Sequence, residues 1–197
     1  MGVSKAAAAE NRARVLDVAG RLFREKGFDG IGVSDLMKEA GLTHGGFYAN
    51  FASKEDLAAQ ASALALRGGV AILERVANGA PDAPFAAVVE FYLTERHRAR
   101  PGVGCPLAAL SSDVARAGPA LKSIFTVGLD EHVALLERIM PDHITVGRNE
   151  KATVAMTLMA GALAVSRSVD DETARSVLEN AKTTVLALCC VDPNRRQ

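Results

Sequence analysis

The chain has 197 residues, 49% of them apolar, and its 23 basic and 23 acidic side chains balance to a formal charge of zero. That length can bury a core without disulfide or metal staples. The charge balance excludes a non-specific coat for a polyanion but not a specific reader, whose phosphate contacts need only a local patch. No run approaches the ~18 apolar residues of a membrane span, and the start, MGVSKAAAAENRAR, lacks the apolar stretch and cleavage site of a secretory signal. Cys105, Cys189 and Cys190 are an odd set with an adjacent pair, a poor disulfide framework without metal-ligand spacing. A cytoplasmic chain with no cofactor, metal or membrane partner is expected.

Aromatics are only 5% and no sustained β-branched alternation occurs, so the pattern predicts an all-α fold of about nine helices. Val15, Val18, Ala19, Leu22 and Phe23 share one helical face, and Lys26-Gly27 supplies a basic last turn and a glycine stop. A second short helix fits Val33, Leu36, Met37 and Ala40, entered at Gly32 and ended by Gly41. A third is expected from about Thr43 to Asn50. Ser53, with Asp56 three residues on, reads as a capping box that opens a long helix through about Ala77. NGAPDAP at 78–84 is punctuation. Phe85 to Arg100 reads as one helix, broken by PGVGCP at 101–106. A shorter helix reaches Arg116, and the next runs from Pro119 to Met140. Its stripe is Leu121, Ile124, Phe125, Gly128, His132, Leu135, Leu136 and Ile139. Two last helices span about 150–168 and 171–190, and the tail DPNRRQ is expected to fray.

Residues 33–57, VSDLMKEAGLTHGGFYANFASKEDL, carry the most specific pattern. Two short helices meeting at Gly41-Leu42-Thr43 make a helix-turn-helix. Ala40 lets the helices approach, Gly41 suits the left-handed conformation that ends the first, and Thr43 is placed to cap the second. Phe47 and Phe51, four apart, face the core, which leaves Thr43, His44, Gly45, Tyr48 and Asn50 on the groove side. No acidic residue occurs from Ala40 to Lys54. Arg12, Arg14, Arg21, Arg24 and Lys26 of the first helix are expected to complete a local basic patch.

The string AGLTHGGFYANFASKEDL at 40–57 resembles the DNA-binding domain of the TetR family, and Ala19, Leu22, Phe23, Gly27 and Phe28 match that family's first helix and turn. The resemblance covers about a quarter of the chain. It implies that Thr43, Gly45 and Tyr48 touch phosphates or base edges and that Lys54 contacts phosphate. The chain departs from the pattern twice. Gly32 stands where the family usually has a threonine that caps and contacts the backbone, and Asn50 stands where histidine is common. The implied organisation is a DNA-binding domain over 1–52 and a ligand-binding and dimerisation domain over 53–197, with 53–77 as the connecting helix.

Regulators of this kind pair through their two last helices. The spacing agrees, with Ala174, Val177, Leu178, Ala181, Val185 and Leu188 on one stripe, and Val154, Leu158, Gly161, Ala162 and Val165 before it. The same faces also suit a cover for the chain's own core, and spacing leaves both open. Phe91, Leu107, Leu110, Phe125 and Met159 are candidate walls of a sensor pocket, with His97, Cys105 and His132 as its polar options. Cys105, just before a helix start and beside glycines, is also a candidate reactive thiol. Catalysis is not expected, because Glu95-Arg96-His97 and Glu131-His132 lack the Glu-x-x-His spacing of a di-iron bundle and no nucleophile has a base at readable spacing. The expected function is a repressor that binds palindromic operator DNA as a homodimer and is released by a small-molecule inducer. An activator, or a regulator responsive to oxidants or electrophiles through Cys105, is the alternative. A ligand favouring a tilted connecting helix would lower DNA affinity by linkage, and Gly68-Gly69 would soften that helix.

Overall fold

Val15, Ala19, Leu22 and Phe23, the face predicted for the first helix, are all buried in the computed structural model. The structure describes residues 5–190, except for the side chains of Cys189 and Cys190; the tail DPNRRQ lies outside the described residues. Within them the chain is all-helical: α1 (Lys5–Lys26), α2 (Val33–Glu39), α3 (Lys54–Asn78), α4 (Pro84–Tyr92), α5 (Glu95–Arg98), α6 (Pro106–Arg116), α7 (Pro119–Ile139), α8 (Arg148–Ser166) and α9 (Asp171–Cys190). Short 3-10 turns occupy His44–Gly46 and Pro101–Val103.

Two predicted helices come out differently. The stretch from Thr43 to Asn50 is a single 3-10 turn followed by non-helical turns. Gly45-Gly46 weakens helix propagation there, since each glycine gives up more backbone entropy than any other residue on being ordered. The single helix expected from Phe85 to Arg100 is two. Leu93 leaves the helical region at φ −90°, ψ 67°, and Thr94 opens α5 by accepting the His97 N–H on its hydroxyl.

The chain divides into two compact units, residues 1–66 with 101–126, and residues 67–100 with 127–197. In the first, α1 ends at Gly27, whose φ of +75° and N–H to the Phe23 carbonyl (2.8 Å) form a left-handed cap. Beyond it the turn at Pro101–Val103 lies on α1. Gly102 is buried against Arg21 and Glu25, and Arg24 donates to its carbonyl from Nε at 2.9 Å and from a second nitrogen.

In the second unit α8 packs along α9. Arg148 donates to the Glu137 and Met140 carbonyls at the end of α7, which a helix terminus leaves without intrahelical donors, and to the Pro141 and Ile144 carbonyls of the loop beyond. Asp170 opens α9, accepting the Glu172 and Thr173 N–H groups on Oδ1. Arg98 joins α5 to the α8–α9 corner, donating to the Ser166 carbonyl at 2.7 Å and pairing with Asp171 at 2.9 Å.

By length and composition α3 is apolar enough to cross a membrane, and 33% of its most apolar window is buried inside the chain. It runs unbroken through Gly68-Gly69. Gly69 admits a close neighbour, since a Cβ there would lie 3.1 Å from His132 Nε2. The His132 ring is buried, with Nδ1 2.6 Å from the Gly128 carbonyl.

Candidate nucleic-acid interface

The turn that follows α2 forms as its glycine predicts. Gly41 has φ +70°, its N–H donates to the Lys38 carbonyl, and the Leu42 N–H reaches back to Met37 at 2.9 Å. This paired closure satisfies the last carbonyls of α2 with backbone donors alone. Leu36, Met37 and Ala40 are buried beneath it.

After the turn the side chains separate by face. Phe47 and Phe51 are 1% and 2% exposed, with ring centroids 5.7 Å apart. Tyr48, between them in sequence, is 69% exposed and packs edge-on against Phe47 at 5.1 Å. His44 stands exposed beside it in a T-shaped contact at 6.1 Å. Thr43 and Gly45 are exposed as well, so four of the expected groove-side residues share an outer face. Thr43 makes no side-chain cap, so its hydroxyl is not used as predicted. Asn50 differs in another way. It is half-buried and its amide donates to the Gly46 carbonyl at 2.8 Å, closing the turn from within. Gly32, where a threonine cap was missed from the pattern, caps α2 without a side-chain bond.

Lys54 opens α3 over a cap of unexpected register. Ser53 Oγ accepts the Asp56 N–H at 3.1 Å, while the Asp56 carboxylate accepts the Ala52 N–H at 3.0 Å, one residue earlier than a simple capping box. Hydrogen bonds from Gln60 and then Ala52 hold the Asp56 carboxyl below its usual pKa.

The basic patch is smaller than the sequence suggests. Arg12 lies 5.2 Å from the Phe51 ring centroid and donates to Gln60, a tie between α1 and α3. Arg21 pairs with Glu39 at 2.7 Å and Glu25 at 3.3 Å, and Arg24 is spent on Gly102. Arg14 and Lys26 remain exposed from the α1 set, and Lys38 adds an exposed cation on α2. The signal for the ties was present as glutamates and Gln60, but only the packing says which cation meets which.

The predicted sensor residues fall in different units. Cys105, Leu107, Leu110 and Phe125 are buried in the first, and Met159 is buried in the second. His97 is half-buried in the second, its Nδ1 2.7 Å from the Tyr92 carbonyl. Phe91 is 45% exposed, so it does not wall an enclosed pocket. Cys105 is 6% exposed and directly precedes α6. A groove of about 370 Å³ opens elsewhere in the second unit, lined by apolar Val70, Ala71, Ala134 and Leu135 and by charged Arg67, Glu74, Glu131 and Arg138.

The dimer stripe divides too. Ala162, Leu178, Ala181 and Val185 are buried against the chain's own core, so they are not an outward face. Leu158, Val177 and Leu188 are half-buried and Val165 is 51% exposed. Val154, at 50% exposure, and Gly161, whose Cβ would meet nothing within 4 Å, join them on the outside of α8.

Residues 15–61 match the family model described as bacterial regulatory proteins, tetR family. Over 54 residues the chain is 41% identical to the HTH-type transcriptional regulator AcrR of Shigella flexneri, a match covering 27% of this chain and 25% of AcrR. The match thus spans about a quarter of that relative's length. Three of the similar solved structures share the fold over most of the chain. Reduced E. coli NemR has a TM-score of 0.76 at 22% identity, covering 89% of this chain and 95% of NemR. A regulator from Cytophaga hutchinsonii has a TM-score of 0.76 at 19% identity, covering 96% and 97%. SCO4454 of Streptomyces coelicolor has a TM-score of 0.74 at 22% identity, covering 97% and 98%. Residues 15–61 thus match the tetR family of bacterial regulatory proteins, and the all-helical chain shares its fold with these solved structures.

Proposed function

We propose that the chain is a cytoplasmic transcriptional repressor that binds a palindromic operator as a homodimer and leaves it on taking up a small molecule. One observation carries the DNA-binding part. An aromatic base of Phe47 and Phe51 holds Thr43, His44 and Tyr48 outward, in a stretch with no carboxylate from Ala40 to Lys54. Lys54 begins a 25-residue helix and sets a cation next to that stretch, suited to a phosphate contact. The test is a gel shift with the intergenic DNA beside the gene. Failure to retard any of it over a range of salt would sink the reading. Reporter expression in a deletion strain gives the sign: loss of the gene raises a repressed promoter and lowers an activated one.

The homodimer is supported by the outer face of α8, where Val154 and Val165 are exposed around Gly161. A glycine inside a helix costs about 1 kcal/mol relative to alanine, and among the described residues no neighbour calls for it at 161. A second copy approaching closely gives the missing reason, and a two-fold pair sets two reading heads against two half-sites about 34–36 Å apart. The inducer then acts by population shift, binding better to the form that does not fit DNA.

A second reading makes Cys105 the sensor. Burial lowers the Arg24 pKa, and Cys105 lies near enough to oppose that lowering, so a cation stands by the sulfur. NemR, of similar fold, is described in a reduced form. Gel shifts after mild peroxide or a quinone, wild type against Cys105→Ser, decide this. Equal sensitivity removes the thiol and leaves non-covalent induction.

A further inference from the structure

We infer that Gln60 is the positioning residue that fixes the reading head on α3, and that through it the protein accepts operators of one half-site spacing. That role presupposes the DNA-binding reading above and adds which arrangement of half-sites the protein takes.

Gln60 stands in the middle of a chain of contacts that runs from α1 to the residues after the reading turn. Arg12 of α1 lies 5.2 Å from the Phe51 ring centroid and donates to Gln60 Oε1. Gln60 Nε2 donates to Asp56 Oδ1 at 2.8 Å, and Asp56 Oδ2 accepts the Ala52 N–H at 3.0 Å. Arg12, Asp56 and Gln60 are all half-buried. One amide therefore joins α1, the segment at Phe51-Ala52 and the first turns of α3.

The apolar contact beneath this chain does not set an angle by itself. A Cβ on Gly20 of α1 would stand 3.7 Å from the Ala61 carbonyl oxygen of α3, so the two helices pass closely, and Ala19, Ala58 and Ala61 are buried. Burial of such small side chains is non-directional and tolerates a roll of one helix on the other. Hydrogen bonds weaken steeply as their angle departs from linear, so the polar chain selects one orientation. In a two-fold pair, the orientation of each head decides how far apart two half-sites must lie.

The chemistry at position 60 also has a reason. A neutral amide accepts from the cation on one side and donates to the anion on the other. Glutamate there would still accept from Arg12 but would set a second carboxylate against Asp56. Asparagine at 56 would restore the match, accepting the Ala52 N–H on its oxygen and donating its N–H to the new carboxylate. Moving the charge from 56 to 60 thus keeps every link.

The experiment uses the full chain, selection from duplexes whose half-sites are separated by spacers of varied length, anisotropy titrations and melting. Wild type is expected to enrich one spacing. Gln60→Glu and Asp56→Asn should each keep the half-site sequence, accept neighbouring spacings and lose about tenfold in affinity for the wild-type spacing. Asp56→Asn/Gln60→Glu together should regain both the single spacing and the affinity. A merely structural role would lower melting and weaken all spacings alike. Gln60→Met, which removes both links without adding a charge, should relax the spacing as well and carries the test if the charged variants do not fold. If wild type shows no preferred spacing, if folded single variants keep it, or if the double variant does not recover it, the inference fails while DNA binding stands. If wild type binds no duplex, the DNA-binding reading itself fails, and the inference with it.

Discussion

The reading turn and the α8–α9 pair use apolar residues in opposite ways. In the turn, aromatic residues are fully inside or nearly outside: Phe47 at 1% exposure, Tyr48 at 69% and Phe51 at 2%. Each position has one job, and the outer residues differ in kind from the inner ones. On α8 both faces are apolar. Ala155, Met156, Met159 and Leu163 are at 0% exposure, while Val154 and Val165 are half out. A helix apolar on both sides has a use for a second partner, because one neighbour covers only one stripe. Polar chemistry therefore marks the first surface, and surplus apolar area marks the second.

The largest effect that bears on this contrast comes from placing one charge on each side of the α8–α9 pair. Val165→Glu, on the outer face, should leave helicity and melting intact but yield monomers in sedimentation and reduce operator affinity more than a hundredfold. Val185→Glu, at 0% exposure in the same pair, should fail to fold, since burying an unpaired charge costs several kcal/mol. A dimeric Val165→Glu protein moves the interface elsewhere.

Within the turn the same division should appear as stability against affinity. Phe47→Ala removes a fully buried ring and should cost about 3–5 kcal/mol in denaturant unfolding. Tyr48→Phe should melt like wild type yet bind operator more weakly. Lys54→Ala should lower the slope of log affinity against log salt by about 1. Equal operator affinity in both variants at all salts would break the assignment of this face.

A smaller effect distinguishes the units by pH. His97 and His132, both in the second unit, have pKa values lowered chiefly by burial. The unfolded chain therefore binds protons more readily than the native one. Their contribution is complete above the ordinary imidazole value of about 6.5 and is lost as pH falls below it toward the depressed native values. Melting temperature should drop from pH 7.5 to 5, and His132→Gln should flatten part of that drop even if it lowers stability overall. An unchanged pH slope in His132→Gln would show that His132 is not among the groups responsible.

The smallest effect is also the most local. Gly68→Ala meets open space in a helix and should stabilise by about 0.5–1 kcal/mol. Gly69→Ala meets the buried His132 ring at 3.1 Å and should destabilise. Identical melting of the two would remove the close approach of α3 to α7 as the reason for Gly69.

Some of these features were legible in the sequence because they depend on neighbours in the chain. The all-α class follows from helical spacing, the turn at Gly41 from one residue able to take φ +70°, and the exposure of Tyr48 from its place between two aromatics four apart. Each is settled within a few residues by backbone sterics or periodicity. Tertiary structure decided the rest. Arg12, Arg21 and Arg24 read as a basic patch until Gln60, Glu39 and the Gly102 carbonyl, 18 to 78 residues away, are seen to bind them. Ala162 and Val185 read as an interface until α8 and α9 turn them toward each other's side of the core. Spacing tells which residues share a face, but a long-range contact has no local trace in the chain, so which partner a face meets is decided only by the packing.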